Sequence, residues 1–339
     1  MQRQGAGAVY LNIFHPDIID FLATKKENAD EKVRVKTLSL GVTVPDKYYE
    51  LIAKDEDMYL FSPYDVERIY GKPFSYVDIT HEYDNMVNNP EITKTKIKAR
   101  DLENEISKLQ QESGYPYILN IDTANKENPV NGNIIMSNLC SEILQVQSPS
   151  KLKRDLSYDV IGNDISCNLG STNIANMINS PDFGKSVEIA IRALNSVSDK
   201  SNIEEVPTIQ QANENYHSVG LGAMSLHTAL ALNQIHYESD EAIEFTDAYF
   251  RALRFYALKA SNKIAKETGD KFFEFDKSEY ADGSYINRKY IDVEDVVYES
   301  DKVKDIFDNI IPAKEDWEKL SKEIQEHGLY NSYTLAIAP

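Results

Sequence analysis

Thr37–Val44, TLSLGVTV, followed at once by Pro45–Glu56, PDKYYELIAKDE, is the stretch that sets the class of fold. The first run is apolar and rich in β-branched residues, and its length suits a buried strand. The second reads as a short helix behind that strand, with Pro45 at the junction. Working outward, MYLFSP (58–63) reads as another strand. A polar-rich helix over Thr95–Glu112 carries Leu102, Ile106 and Leu109 at helical spacing, and SGYPYILNID (113–122) returns to extended structure. Strands and helices therefore alternate, which is the pattern of an α/β domain.

The second half is more helical. GKSVEIAIRALNSVSDK (184–200) reads as one helix. A longer one begins near Ser239, an N-cap followed by Asp240 and Glu241, and stops at Gly269. Ile243, Phe250, Leu253, Ala257, Ala260 and Ile264 recur at threes and fours along it and predict its buried face. Between the halves, VNGNIIMSNLCSEILQV (130–146) reads as an Asn-Gly turn leading into an extended run, and YDVIGNDISCNLGSTNIANMI (158–178) as a second strand closing on a glycine turn. The chain opens on a Gly/Ala turn and an apolar strand, QRQGAGAVYLNIF, and closes on the strand-like run HGLYNSYTLAIAP, so it reads as a segment of something longer.

Composition narrows the function classes. The 339 residues are 42% apolar and 27% charged, with 36 Lys and Arg against 55 Asp and Glu, a formal charge of −19. Such a balance argues against a nucleic-acid or membrane-surface binder, which needs a cationic footprint. No run approaches the 18 apolar residues of a membrane span and no leader pattern is present, so a cytoplasmic location is expected. Cys140 and Cys167 are the only two cysteines, neither in a CxxC pair, and the six histidines show no ligand spacing. No metal site is expected. Gly220-x-Gly222 in SVGLGAMSLH lacks the third glycine and the lysine of a phosphate loop and reads as a place of close packing.

One constellation carries chemistry. If 138–142 is extended, Asn138, Cys140 and Glu142 project to the same side while Leu139 and Ile143 point away. That converges an amide, a redox-capable sulfur and a carboxylate able to act as a base. The same spacing suits an edge strand with a buried cysteine between two solvated polar residues, and spacing alone does not choose between them.

Together with QRQGAGAVYLNIFHPDIIDFL, RVKTLSLGV, ESGYPYI, DISCNLGSTNI, GLGAM and EHGLYNSYTLAIAP, the segment SNLCSEI resembles ordered blocks of the large (alpha) subunit of class I ribonucleotide reductase, in its class Ib branch. The resemblance runs over essentially the whole chain. It implies a ten-stranded α/β barrel of two parallel five-stranded halves with Cys140 on a finger loop, and residues 1–339 as one incomplete catalytic barrel domain with both ends missing. It implies reduction of ribonucleoside diphosphates, with Cys140 as the thiyl radical that takes the 3′-hydrogen, Glu142 as base on the 3′-hydroxyl, and Asn138 bonded to the sugar hydroxyls. Leu139 and Ser141 would complete the substrate contacts. Cys167 would be one thiol of a reducing pair whose partner is absent from this chain, and Arg3, Gln4, Gly5 and Ala6 would belong to the loop that links effector to substrate base.

The implied partners are a radical-generating, metal-containing small (beta) subunit, ATP and dNTP effectors, a dithiol reductant of the glutaredoxin or thioredoxin kind, the missing large-subunit segments, and a second copy of the complete large subunit. A split or intein-interrupted gene would account for a chain of this extent. The competing reading is a non-catalytic remnant or an assembly module for partner subunits.

Overall fold

The computed structural model describes residues 5–201, 203–294 and 296–338. The chain packs as two compact units, one formed by residues up to Asn128 with Asn133–Leu144, the other by Pro129–Gly132 with Gln145 onward.

At the centre of the first unit is a three-stranded parallel sheet, ordered β1 (Gly7–Asn12), β2 (Leu38–Val44) and, as its third strand, Tyr117–Asn120. The expected strand at 37–44 is therefore present, with the helix Asp46–Ala53 directly after it. One face of β2 presents Val42 and Val44 to a core that includes Phe14, Ile18, Leu22, Leu51, Leu102, Ile106 and Leu109. The other face is small and polar, with Ser39, Gly41 and Thr43.

The helix anticipated over Thr95–Glu112 starts only at Ala99 and runs to Ser113. Lys94–Lys98 is instead a strand (β4) pairing antiparallel with β3 (Asp57–Phe61). Lys96 and Lys98 reach Asp57 across that pair at 2.6 and 2.8 Å, and the alternation of KTKIK favours the extended form. The strand Tyr117–Asn120 is accordingly β5.

In the second unit, a short antiparallel pair, β6 (Lys151–Leu152) and β7 (Tyr158–Val160), precedes the parallel pair β8 (Leu169–Asn173) and β9 (Gly220–Met224). Gly170 lies inside β8 and makes no turn there. The run 333–336 lies alongside β9: Val219 and Leu221 donate to the carbonyls of Tyr333 and Thr334, and Ala336 donates back to Leu221. Both Gly220 and Gly222 are glycine because of this approach. A β-carbon on Gly220 would stand 2.5 Å from Leu169 Cδ2 and 2.8 Å from Ala336 Cβ, and one on Gly222 would stand 2.5 Å from the Ala336 carbonyl oxygen. Close packing, the reading made of this motif, is what the pair provides.

The long helix spans Asp240–Thr268, with Ser239 Oγ accepting the Ala242 N–H at 3.2 Å and Gly269 in the left-handed region at its end. Its buried face is centred on Phe245, Ala248, Tyr249, Ala252 and Leu253, whereas Ile243, placed inside by the periodicity, is 69% exposed. Counting from Phe245 at 3.6 residues per turn puts 243 on the far side. Asn331, fully buried, pins this unit. Its N–H donates to Ser261 Oγ (2.8 Å) and its side-chain amide to Asn195 Oδ1 (2.6 Å) and the His217 carbonyl (2.5 Å).

Glu188, on the helix Phe183–Lys200, joins that helix to the long one. Its carboxylate is held down to about 2, chiefly by the hydrogen bond from Lys263, with Arg192 and Lys185 adding and burial opposing. A depressed carboxylate contributes stability above its ordinary value near 4.5 and loses it as pH falls from there toward 2. Glu188→Gln is therefore expected to lower the melting temperature more at pH 6 than at pH 3. Equal losses at both would remove the network from the account.

Candidate active site

The segment expected to be an extended run is a turn. Leu139 and Cys140 occupy its two central positions, the Ser141 N–H donates back to the Asn138 carbonyl at 3.2 Å, and no strand covers 133–144. Ser141 then takes φ 66°, a left-handed conformation that costs a non-glycine residue roughly 1 kcal/mol. The common projection of Asn138, Cys140 and Glu142 from one strand face is thus overturned. Local side-chain bonds outcompete a ladder that has no neighbouring strand to complete it.

Asn138 is the residue that ties the turn. Its Oδ1 accepts the Ile143 N–H at 3.0 Å, and the Ser137 hydroxyl donates to the Ile143 carbonyl at 2.7 Å, so the loop is closed on both sides of Cys140. Cys140 is left exposed at the tip. Glu142 is half-buried, with its Oε2 shielded from solvent.

Tyr10, from β1, reaches the same turn. Its hydroxyl donates to the Asn138 carbonyl at 3.1 Å and shares a 2.7 Å hydrogen bond with Ser141 Oγ. The sheet register explains how. Tyr10, Gly41 and Tyr117 are direct neighbours across β1, β2 and β5, so all three belong to the polar face. A β-carbon on Gly41 would come within 2.8 Å of Tyr10 Cζ and closer still to Cε1 and Cδ1, so the missing side chain is the space the ring occupies. Each net hydrogen bond is worth about 0.5–1.5 kcal/mol, enough for this pair to offset the backbone cost at Ser141.

Tyr117 lies on the other side of Gly41. Its phenol is pushed up mainly by burial, with Tyr115 and, last, the Cys140 thiol contributing, while a hydrogen bond with Ser39 opposes. The Tyr115 and Tyr117 rings are 5.3 Å apart, and Ser39 Oγ lies 3.1 Å from the Tyr115 hydroxyl. Composition and spacing do not single out these tyrosines. The usable signal was Gly41, an isolated glycine in an otherwise β-branched strand, which marks a close approach.

Cys167, in the second unit, is an exposed thiol held between two anchored neighbours. The buried Gln145 amide brackets Ser166, donating to its carbonyl at 2.9 Å and accepting its N–H at 3.1 Å. Asn168 donates to the Leu194 carbonyl at 2.8 Å and accepts from the Gly220 N–H at 2.9 Å. Of the loop Arg3, Gln4, Gly5 and Ala6, the first two lie outside the described residues, and Gly5 and Ala6 are exposed ahead of β1. Among the described residues no helix is long and apolar enough to cross a membrane.

Asn138→Asp separates two duties of this side chain. It keeps an acceptor for the Ile143 N–H while removing the amide donors, so the turn is expected to persist and turnover to fall by about 10²-fold or more if the donors meet substrate. Turnover close to wild type would leave Asn138 a purely structural brace.

Comparison with known proteins gives the family. The family model described as "Ribonucleotide reductase, barrel domain" matches residues 1–339. The chain is 50% identical to the ribonucleoside-diphosphate reductase subunit alpha of Mycoplasma pneumoniae, over all of this chain and 47% of that protein. It is 47% identical to the subunit of the same name from Mycoplasma genitalium, again over 47% of it, and 45% identical to that of Bacillus subtilis (strain 168), over 48%. The chain thus spans about half the length of the curated relatives it matches.

Proposed function

Because the chain belongs to the ribonucleotide reductase barrel-domain family, we propose that it is the central catalytic segment of a ribonucleoside-diphosphate reductase large subunit, acting through a thiyl radical on Cys140. The observation that carries the reading is the turn itself: an exposed thiol at the tip of a loop tied by Asn138 and Tyr10, with Glu142 two residues on. The parallel sheets, one in each unit, are the kind of element the implied barrel is built from.

On this reading the chemistry balances as follows. The Cys140 thiyl takes hydrogen from C3′ and becomes a thiol, and Glu142 takes the 3′-hydroxyl proton. The 2′-hydroxyl leaves as water with one proton from a thiol pair; the pair then gives a hydrogen atom to C2′ and, closing to a disulfide, the remaining electron, while Glu142 returns its proton to the 3′-oxygen. Cys140 then returns hydrogen to C3′ and the radical is regenerated. Cys167 is one member of the pair, and its partner thiol comes from outside these residues. The radical is supplied by a separate metal-containing small subunit, nucleotide effectors tune the choice of substrate, and a glutaredoxin- or thioredoxin-like dithiol reopens the disulfide.

The test is a diphosphate reductase assay on the complete large subunit with small subunit, effector and reductant. Cys167→Ser is expected to block repeated turnover, and disulfide mapping after one turnover should place Cys167 in the new bond in the unmutated protein. A disulfide formed elsewhere, with Cys167 still a thiol, would remove it from the mechanism.

A further inference from the structure

We infer that Tyr10 is a positioning residue that holds the Cys140 turn in its reactive shape through its hydroxyl, an inference that rests on the reading of Cys140 given above. A phenol has one proton, and the Asn138 carbonyl can only accept, so the Tyr10 hydroxyl donates there (3.1 Å) and receives the Ser141 hydroxyl proton (2.7 Å). The result is a directed chain, Ser141 to Tyr10 to Asn138, spanning the two residues that flank Leu139 and Cys140. Asn138 and Ser141 are also the ends of the turn's own backbone bond. Tyr10 therefore grips the turn at both of its feet and leaves the tip open.

The grip is rigid because the sheet supplies it. Tyr10 stands in register opposite Gly41 of β2, and its ring lies in the space left by that glycine. A side chain at 41 would lift the ring and draw the hydroxyl off the turn. The left-handed Ser141 would then have lost the bond its side chain makes, and a β-turn with a strained fourth residue has other shapes to relax into. A thiyl that must meet one C–H bond at contact distance does not tolerate that freedom.

Tyr10→Phe keeps the ring on Gly41 and removes only the hydroxyl, so it isolates the clasp from packing. In the complete large subunit it is expected to raise the rate of Cys140 alkylation by iodoacetamide several-fold, read by peptide mass spectrometry, with Cys167 as the unchanged internal reference. It is expected to lower kcat by between about 10- and 100-fold with KM held. Gly41→Ala should reproduce both effects from behind the ring. Wild-type alkylation and kcat in Tyr10→Phe would overturn the clasp, and altered alkylation with an unchanged kcat would overturn its role in the reaction. Full turnover by Cys140→Ser, run beside them, would strike instead at the reading of the site and take the catalytic role of Tyr10 with it.

Discussion

Cys140→Ser in the complete large subunit is expected to bring nucleotide reduction down to background while leaving the fold and its melting temperature almost unchanged. The side chain is exposed at a turn tip, so the change of sulfur to oxygen removes no core packing. The turn is held by Asn138, Ser137 and Tyr10, none of which bonds through the thiol. What is lost is the chemistry. An alcohol O–H is much stronger than a thiol S–H, so a radical that can be passed to sulfur cannot be passed to the serine oxygen at this position. Substrate binding should survive, and the measurement is therefore paired: equilibrium binding of a ribonucleoside diphosphate together with turnover. Binding intact and turnover absent fits the assignment. Residual turnover near wild type would sink it.

The second large effect concerns these 339 residues produced alone, with small subunit, effector and reductant supplied. No turnover is expected, because the chemistry uses three thiols, one carrying the radical and two closing a disulfide, and the chain has two cysteines. The isolated chain is also expected to self-associate. β1 and β5 are the outer strands of the three-stranded sheet among the described residues, with Val9 and Ile118 41% and 37% exposed, and Ile337 is 51% exposed in the other unit. Co-production with the remaining segments of the large subunit should restore solubility and turnover together. Clear turnover by the 339 residues alone would mean that another group stands in for the third thiol, and that the division of labour proposed here is wrong.

Much of the architecture was legible because strong patterns decided it. TLSLGVTV could hardly be anything but a strand, and Ser239 and Gly269 mark the ends of the long helix as its capping bonds require. Where two periods competed, the reading failed. KTKIK merges into the following helix in the sequence pattern, because its short alternation does not reveal that Asp57, on a strand far back in the chain, pairs across from Lys96 and Lys98. The site shows the same division. The residue types at 138, 140 and 142 single out this segment but not its shape, because a side-chain amide bonding five residues ahead is invisible to an alternation rule. Tyr10 is 128 residues from Asn138. Only the strand register brings them together, and a register is a property of the assembled sheet.

Asn331 gives the order of synthesis a meaning. The first unit draws every residue it uses from before Gln145, so its core can close while most of the second is still to be made. The second unit cannot do the same. Asn195 must wait for a partner 136 residues downstream, and Ser261 for one 70 residues away. Until that asparagine leaves the ribosome, the helices around it carry polar side chains aimed at an unfilled slot. Synthesis that stops short of Asn331 would therefore leave the core of the first unit closed and the second open to chaperones and proteases.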